Sequence, residues 1–175
     1  MVSVLTIEDA IYDWVHLVLP AVPVIWYHQN APRPVAPYLS LHLSVINSIG
    51  VDAVLPPESV HATSEIVGNR DFVLLCQGIG LTSMDFLETL KLSLEKPSVQ
   101  AFLRSKNIVF VDRLANTCIA TVVDNRYEER NILDLKFRFA QTDVDTVGII
   151  EHVDIEKDFY SPDLNTITVE HITIP

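Results

Sequence analysis

The sequence predicts an α+β fold: a mixed, mainly antiparallel β-sheet with helices packed on one face. Three observations carry this. Leu133, Leu135, Phe137 and Phe139 alternate strictly with Asp134, Lys136 and Arg138, the period of a half-buried strand. Leu39, Leu41, Leu43 and Val45 alternate in the same way with Ser40, His42 and Ser44. The helical patterns are grouped between strands instead of alternating with them, which favours segregated α+β layers over a βαβ repeat.

The first helix is read from Ile11, Trp14, Val15 and Val18, with Glu8, Asp9, Asp13 and His16 mostly elsewhere on the wheel. Thr6 is the expected N-cap, with Glu8 and Asp9 in the first turn, and Pro20 and Pro23 end the helix. Val24 to Tyr27 reads as a short strand. Pro32, Pro34 and Pro37 then fix φ and remove donors, so Gln29 to Pro37 should be a stiff, extended connector. A strand over 38–47 follows, with Ser48, Ile49 and Gly50 as a turn and a loop around Pro56 and Pro57. His61 to Val67 and Asp71 to Gln77 read as two strands joined by a Gly68-Asn69 hairpin turn, because both residues tolerate positive φ.

Gly78 and Gly80 break the sheet, and Thr82 with Asp85 makes a capping box for a second helix with a buried stripe of Phe86, Leu87, Leu90 and Leu94. Pro97 sits near the first turn of a shorter helix bearing Val99, Phe102 and Leu103. Ile108 to Val111 and Cys118 to Val123 read as separate short strands. They precede a charged turn from Asp124 to Arg130, which leads into the 133–139 strand. Ile149, Val153 and Ile155 suggest another strand, and Ile167, Val169, Ile172 and Ile174 a terminal one. A division follows into a domain over 1–155 and an acidic extension over 156–175.

At 175 residues and 49% hydrophobic, the chain can bury one core but not two full domains. No apolar run approaches the ~20 residues that span a bilayer, and the N-terminus lacks a signal-peptide layout. The expectation is a soluble protein kept in a cytoplasm, without membrane contact. The net charge of −11 argues against a protein that grips DNA phosphates. Residues 141–175 hold eight acids against Lys157 alone. Cys76 and Cys118 lie far apart inside apolar runs and read as buried free thiols, not a redox pair or zinc site.

Motifs for chemistry are missing: there is no P-loop, H-E-x-x-H, nucleophile elbow or complete G-x-G-x-x-G. Six histidines are scattered singly, with no pair spaced to bind metal from one helix face, and no metal or cofactor is expected. His42, His152 and His171 fall on the polar sides of expected strands. Asp124, Glu128 and Glu129 could supply an acid and a base, but Arg126 and Arg130 sit among them, and salt-bridged carboxylates make poor general acids. An ion-pair network at a turn or subunit contact is the simpler reading. Trp26, Tyr27, His28 and Tyr38 read as core or proline-stacking aromatics.

Three segments in this order carry a resemblance: W-Y-H-Q-N-A-P-R-P-V-A-P-Y-L-S-L at 26–41, L-E-T-L-K-L-S-L-E-K-P-S-V at 87–99, and D-N-R-Y-E-E-R-N-I-L-D-L-K-F-R-F at 124–139. Over about residues 5 to 155 the chain resembles the neck- or tail-terminator proteins of tailed bacteriophages and prophages. The resemblance implies a structural, non-enzymatic subunit without a cofactor. It also implies self-association, usually into a homohexameric ring that caps the tail tube protein and joins it to the head-completion or stopper protein. It places the chain in the virion neck after assembly in the host cytoplasm. Asn30, Arg33, Pro34 and Tyr38, with Arg126, Glu129 and Arg130, match the family signature and are expected at subunit contacts.

Size and charge suit that role. A 175-residue subunit has a radius of gyration of ~16 Å, so six in contact leave a hole of roughly 40 Å, wide enough for a DNA duplex. An acidic wall would let DNA pass without sequence-specific binding. Other readings remain: a stopper or tube subunit, a small enzyme whose histidines and carboxylates meet only in the fold, or a monomeric module using the Pro32 to Pro37 ridge.

Overall fold

The computed structural model describes residues 4–30, 32–55, 63–123, 126–146, 153–159 and 168–174. In chain order the elements are α1 (Val4–Val18), β1 (Val24–Trp26), β2 (Tyr38–Leu55), β3 (Thr63–Ile79), α2 (Ser83–Ser93), α3 (Pro97–Ser105), β4 (Ile108–Val123), β5 (Arg126–Thr146), β6 (Val153–Phe159) and β7 (Thr168–Ile174). The fold is α+β, as the sequence predicts. Among the described residues, no helix is long and apolar enough to cross a membrane.

The chain divides into two compact units, one of residues 1–55 and 66–143, the other of 56–65 and 144–175. In the second, β6 and β7 form an antiparallel hairpin, with Val153 opposite Ile174 and Phe159 opposite Thr168. The expected strands at 149–155 and 167–174 correspond to these, although Ile149, His152 and Ile167 lie outside the described residues.

The first unit carries a five-stranded sheet in the order β1-β2-β3-β5-β4. β1 runs parallel to β2, and β4 antiparallel to β5. Asp71 bonds to Arg138 while the Gly80 N–H donates to the Glu129 carbonyl, so numbers rise along β3 as they fall along β5 and that pair is antiparallel. Asp52 meets Arg70 and the Ser44 hydroxyl donates to the Val73 carbonyl, which makes β2 and β3 antiparallel as well. Thus β1, β2 and β5 point one way, and β3 and β4 the other.

One face of the sheet is covered. Ile7, Ala10, Ile11, Trp14 and Val15 of α1 join Leu87 and Leu90 of α2 and Val99 and Leu103 of α3 over Leu39, Leu41, Phe72, Leu74, Cys76, Leu135 and Phe137. Phe137 is the centre. Phe72 stacks on it at 5.3 Å, Phe110 meets it edge-on at 5.7 Å, and Trp14 drops onto it from α1 at 5.9 Å. The Trp14 indole N–H donates to the Ser93 hydroxyl of α2 at 3.2 Å, so its polar tip is satisfied inside the core. Each such large side chain contributes about 2–3 kcal/mol by leaving water.

Several expectations need correction. Helix α1 starts at Val4 with no acid in its first turn, so Thr6 lies inside it and is not the N-cap. Among the described residues the buried stripe already includes Ile7, a turn before Ile11, and carries the helix upstream. Thr82 does sit at the N-cap of α2, but with φ 72° and no side-chain cap bond. The expected Ser48 to Gly50 turn is instead the interior of β2, and Gly50 takes φ +69° within the strand. The Gly68-Asn69 hairpin is the interior of β3. A Cβ on Gly68 would collide with the Arg70 guanidinium and the Asp52 carboxylate, so this glycine makes room for an ion pair between strands. The two short strands at 108–111 and 118–123 are one 16-residue strand, β4. Lying on a sheet edge, it leaves Cys118 exposed, whereas Cys76 is buried as expected. The charged turn is mostly strand, since β5 starts at Arg126 opposite Val123; Asp124 and Asn125 lie outside the described residues.

Candidate functional site

The proline-rich connector meets the start of β5 at a junction built around Glu128. Arg33, rising from the connector, donates from Nε to the Tyr38 hydroxyl and from its terminal nitrogen to Glu128 Oε1. Its guanidinium lies 5.5 Å from the Tyr38 ring centroid, within cation–π range. Period-two geometry puts Arg130 on the same face of β5 as Glu128, and its Nε and terminal nitrogen donate to Glu128 Oε2 at 3.2 and 3.1 Å. The Arg33 bond first, and Arg130 second, hold the Glu128 carboxyl below the ordinary carboxylate range. Arg33 is raised in turn by Glu128. A carboxylate so held is ionised at neutral pH and serves as an anchor, not a general acid.

A second row of contacts tightens the junction. Gly80, at φ +95°, donates its N–H to the Glu129 carbonyl at 2.9 Å. A Cβ there would lie 2.9 Å from Ala36 Cβ and 3.2 Å from Pro37 Cα, so the connector rests directly on this glycine. The buried Asn131 amide donates to the Ser83 hydroxyl at 2.9 Å and to Glu129 Oε1 at 3.0 Å, linking β5 to the first residue of α2. The connector, the β3–α2 turn and β5 therefore come together at one place.

Of the expected contact residues, Arg33 and Arg130 meet on Glu128, Tyr38 joins through Arg33, and Glu129 accepts from Asn131 instead. Pro34 is half-buried and Asn30 is exposed. Arg126 opens β5, and its side chain is outside the described residues. Glu128 is absent from the signature set although it is the hub. Its partner Arg33 is 95 positions away, so no local pattern marks the pair.

Two other groupings have no local signal. Asp71 accepts from Arg138 Nε at 2.7 Å and from Lys136 Nζ at 2.9 Å. Histidines that are isolated in sequence are paired in space: His28 and His42 lie 4.8 Å apart by ring centroid, with Tyr27 5.3 Å from His42. These rings, with Glu8, Trp26 and Gln29, line a cleft of about 280 Å³. Among the described residues, no group of three His, Cys, Asp or Glu is placed to hold a metal ion.

A family model for phage neck terminator proteins matches residues 5–161, a span that includes every strand of the large sheet, all three helices and the Arg33–Glu128 junction. Comparison with curated proteins finds no match. With nearly the whole chain covered by one family, the conclusion is direct: the chain belongs to the phage neck terminator proteins, structural components of the virion.

Proposed function

We propose that this chain forms a ring, six subunits to a turn, that caps the tail tube protein and joins it to the head-completion or stopper protein. The ring is part of the conduit through which DNA passes without sequence-specific binding. The observation that carries this reading is the family match across residues 5–161. The junction is consistent with it, because its carboxylate is bound to two arginines and organised to hold chain segments together. Arg33, 44% exposed on its side chain, and its neighbours Asn30, Pro34, Tyr38, Arg126, Glu129 and Arg130 form the proposed subunit contact. Residues 1–155 form the proposed terminator domain, which holds every described residue of the core cluster between Ile7 and Phe139, and 156–175 an acidic extension that takes most of β6 and all of β7.

Electron microscopy of the purified protein, alone and mixed with tail tubes, tests the proposal. Rings of uniform diameter at tube ends are the expected result. A protein that stays monomeric at all concentrations and never decorates a tube would overturn it.

A further inference from the structure

We infer that neighbouring copies join by pairing the outer edge of β2 in one with the outer edge of β4 in the next, so that a ring is closed by continuing the sheet. This names the partner surface for the ring reading above and rests on it. Among the described residues, no further strand continues the five-stranded sheet at either end. β4 is terminal: 14 of its 16 residues pair with β5, and among the described residues no other strand pairs with it. At the other end, β1 covers only Leu39 to Leu41 of β2. Among the described residues no strand is paired with that side of β2 from Leu43 to Ile49. The Leu39 N–H donates to the Pro23 carbonyl and the Leu41 carbonyl accepts from the Tyr27 N–H, so odd-numbered residues present their backbone groups toward β1. The same alternation turns the backbone groups of Leu43, Val45, Asn47 and Ile49 outward, to an edge that no described strand pairs with.

Edges of this length are ordinarily protected by lysine, proline or inward-pointing charge, because bare backbone groups recruit another strand. On β4 the register shifts at Phe110/Asp112 and Arg113/Ala115, with Asp112 and Arg113 themselves, guard the first half of the strand, so the bare runs are Asn116 to Val123 on β4 and Leu43 to Ile49 on β2. Charged residues make up 20% of the chain, yet none occurs from Leu43 to Val51 or from Leu114 to Val123. Val109, Val111, Leu114 and Ile119 on β4, and Ile46, Val51 and Val54 on β2, are exposed apolar side chains. Two uncharged edge runs on opposite sides of one sheet are two different surfaces, and a head-to-tail contact satisfies both at once. Direction agrees. β2 and β4 point opposite ways, so a sheet carried around an axis along its strands brings β2 of the next copy against β4 in antiparallel pairing, which a two-fold contact between β4 edges would leave half unused.

The test uses full-length chains blocked on one edge each. Ile119→Lys places a charge on β4. Asn47→Pro removes an outward N–H of β2 without taking a bond from the internal ladder, and Ile46→Lys is the second β2 variant should the proline unfold the strand. Thermal melts establish that each variant is folded. Each alone is expected to self-associate at least tenfold more weakly than wild type by analytical ultracentrifugation. An equal mixture of a β4-blocked and a β2-blocked variant is expected to give dimers, because one intact β2 edge and one intact β4 edge remain. Folded variants that form rings as wild type does would overturn edge pairing while leaving the ring intact. Loss of association with Ile119→Lys alone, unrescued by mixing, would assign a two-fold β4 contact instead. A wild-type chain that forms no ring with or without tubes would overturn both readings.

Discussion

Asp71 and Glu128 each accept from two cationic side chains, yet the segments they hold differ. Asp71, 8% exposed, faces Arg138 and Lys136 from the adjoining strand β5. Those strands already share a ladder of backbone bonds. Glu128, 19% exposed, ties β5 to Arg33 on a connector with no ladder of its own. Removing Asp71 uncovers two cations on a sheet that stays paired, whereas removing the Glu128 contact frees a segment whose place depends on side chains. The first cluster serves stability, and the second positions a surface element.

The largest effect expected at the junction comes from the glycine beneath it. Gly80→Ala places a side chain at φ +95° and drives a Cβ into Ala36 and Pro37. Strain and displacement together should cost about 3 kcal/mol, read as a lower Tm and faster amide exchange at Arg33, Val35 and Ala36, the residues of 32–37 that carry an N–H. An unchanged Tm would show that the connector yields freely and that side-chain bonds alone define its position.

Asp71→Ala comes next, at about 2 kcal/mol, from the loss of charge-assisted bonds to a nearly buried carboxylate. Arg138 and then Lys136 hold the folded Asp71 carboxyl below its ordinary value. Its stabilisation is therefore present above the ordinary pKa of about 4 and is lost as pH falls through the lower folded value. The gap in Tm between wild type and variant should be constant near neutrality and close below about pH 4. A gap that persists into stronger acid would assign the loss to packing.

Arg33→Ala should cost the subunit about 0.5–1 kcal/mol, since the guanidinium is nearly half exposed. Ring formation should suffer more, as the connector loses its tie to Glu128. Arg130→Ala, which leaves Arg33 in place on Glu128, should show the same ordering with a smaller effect on the connector. Equal losses of assembly and melting temperature would make both arginines part of the fold alone.

What the sequence made legible follows physical range. The 133–139 strand was readable because its period reports burial directly, and Leu133, Leu135, Phe137 and Phe139 are buried in that alternation. Gly50 and Gly68 misled because glycine is a turn signal locally, while here a neighbouring strand continues beside each and an Asp52–Arg70 pair occupies the space over Gly68. Cys118 resembles a core residue in composition, but its exposure depends on β4 being terminal, a property of strand order. The junction was half legible: Arg33 and Arg130 stood out, while Glu128 as their common partner required the tertiary fold to bring residue 33 to residue 128.

A third carboxylate, Asp134 on β5, provides the smallest and sharpest control for the comparison. Asp134 lies on the same strand as Glu128 and close to the partners of Asp71, but its Oδ1 is buried without a hydrogen-bond partner. Burial raises its carboxyl above the ordinary range, the opposite direction from the two anchors. For a raised carboxyl the favourable contribution is present below the ordinary pKa and lost as pH rises through the folded value, so at neutral pH the charge is a cost. Asp134→Asn removes that charge while keeping the shape, and should raise stability by about 0.5 kcal/mol at pH 7. The gain should vanish in acid, where wild-type Asp134 is already neutral. A loss of stability at pH 7 would mean that Asp134 is held by a cation after all, and that the sheet carries three anchors where the geometry shows two.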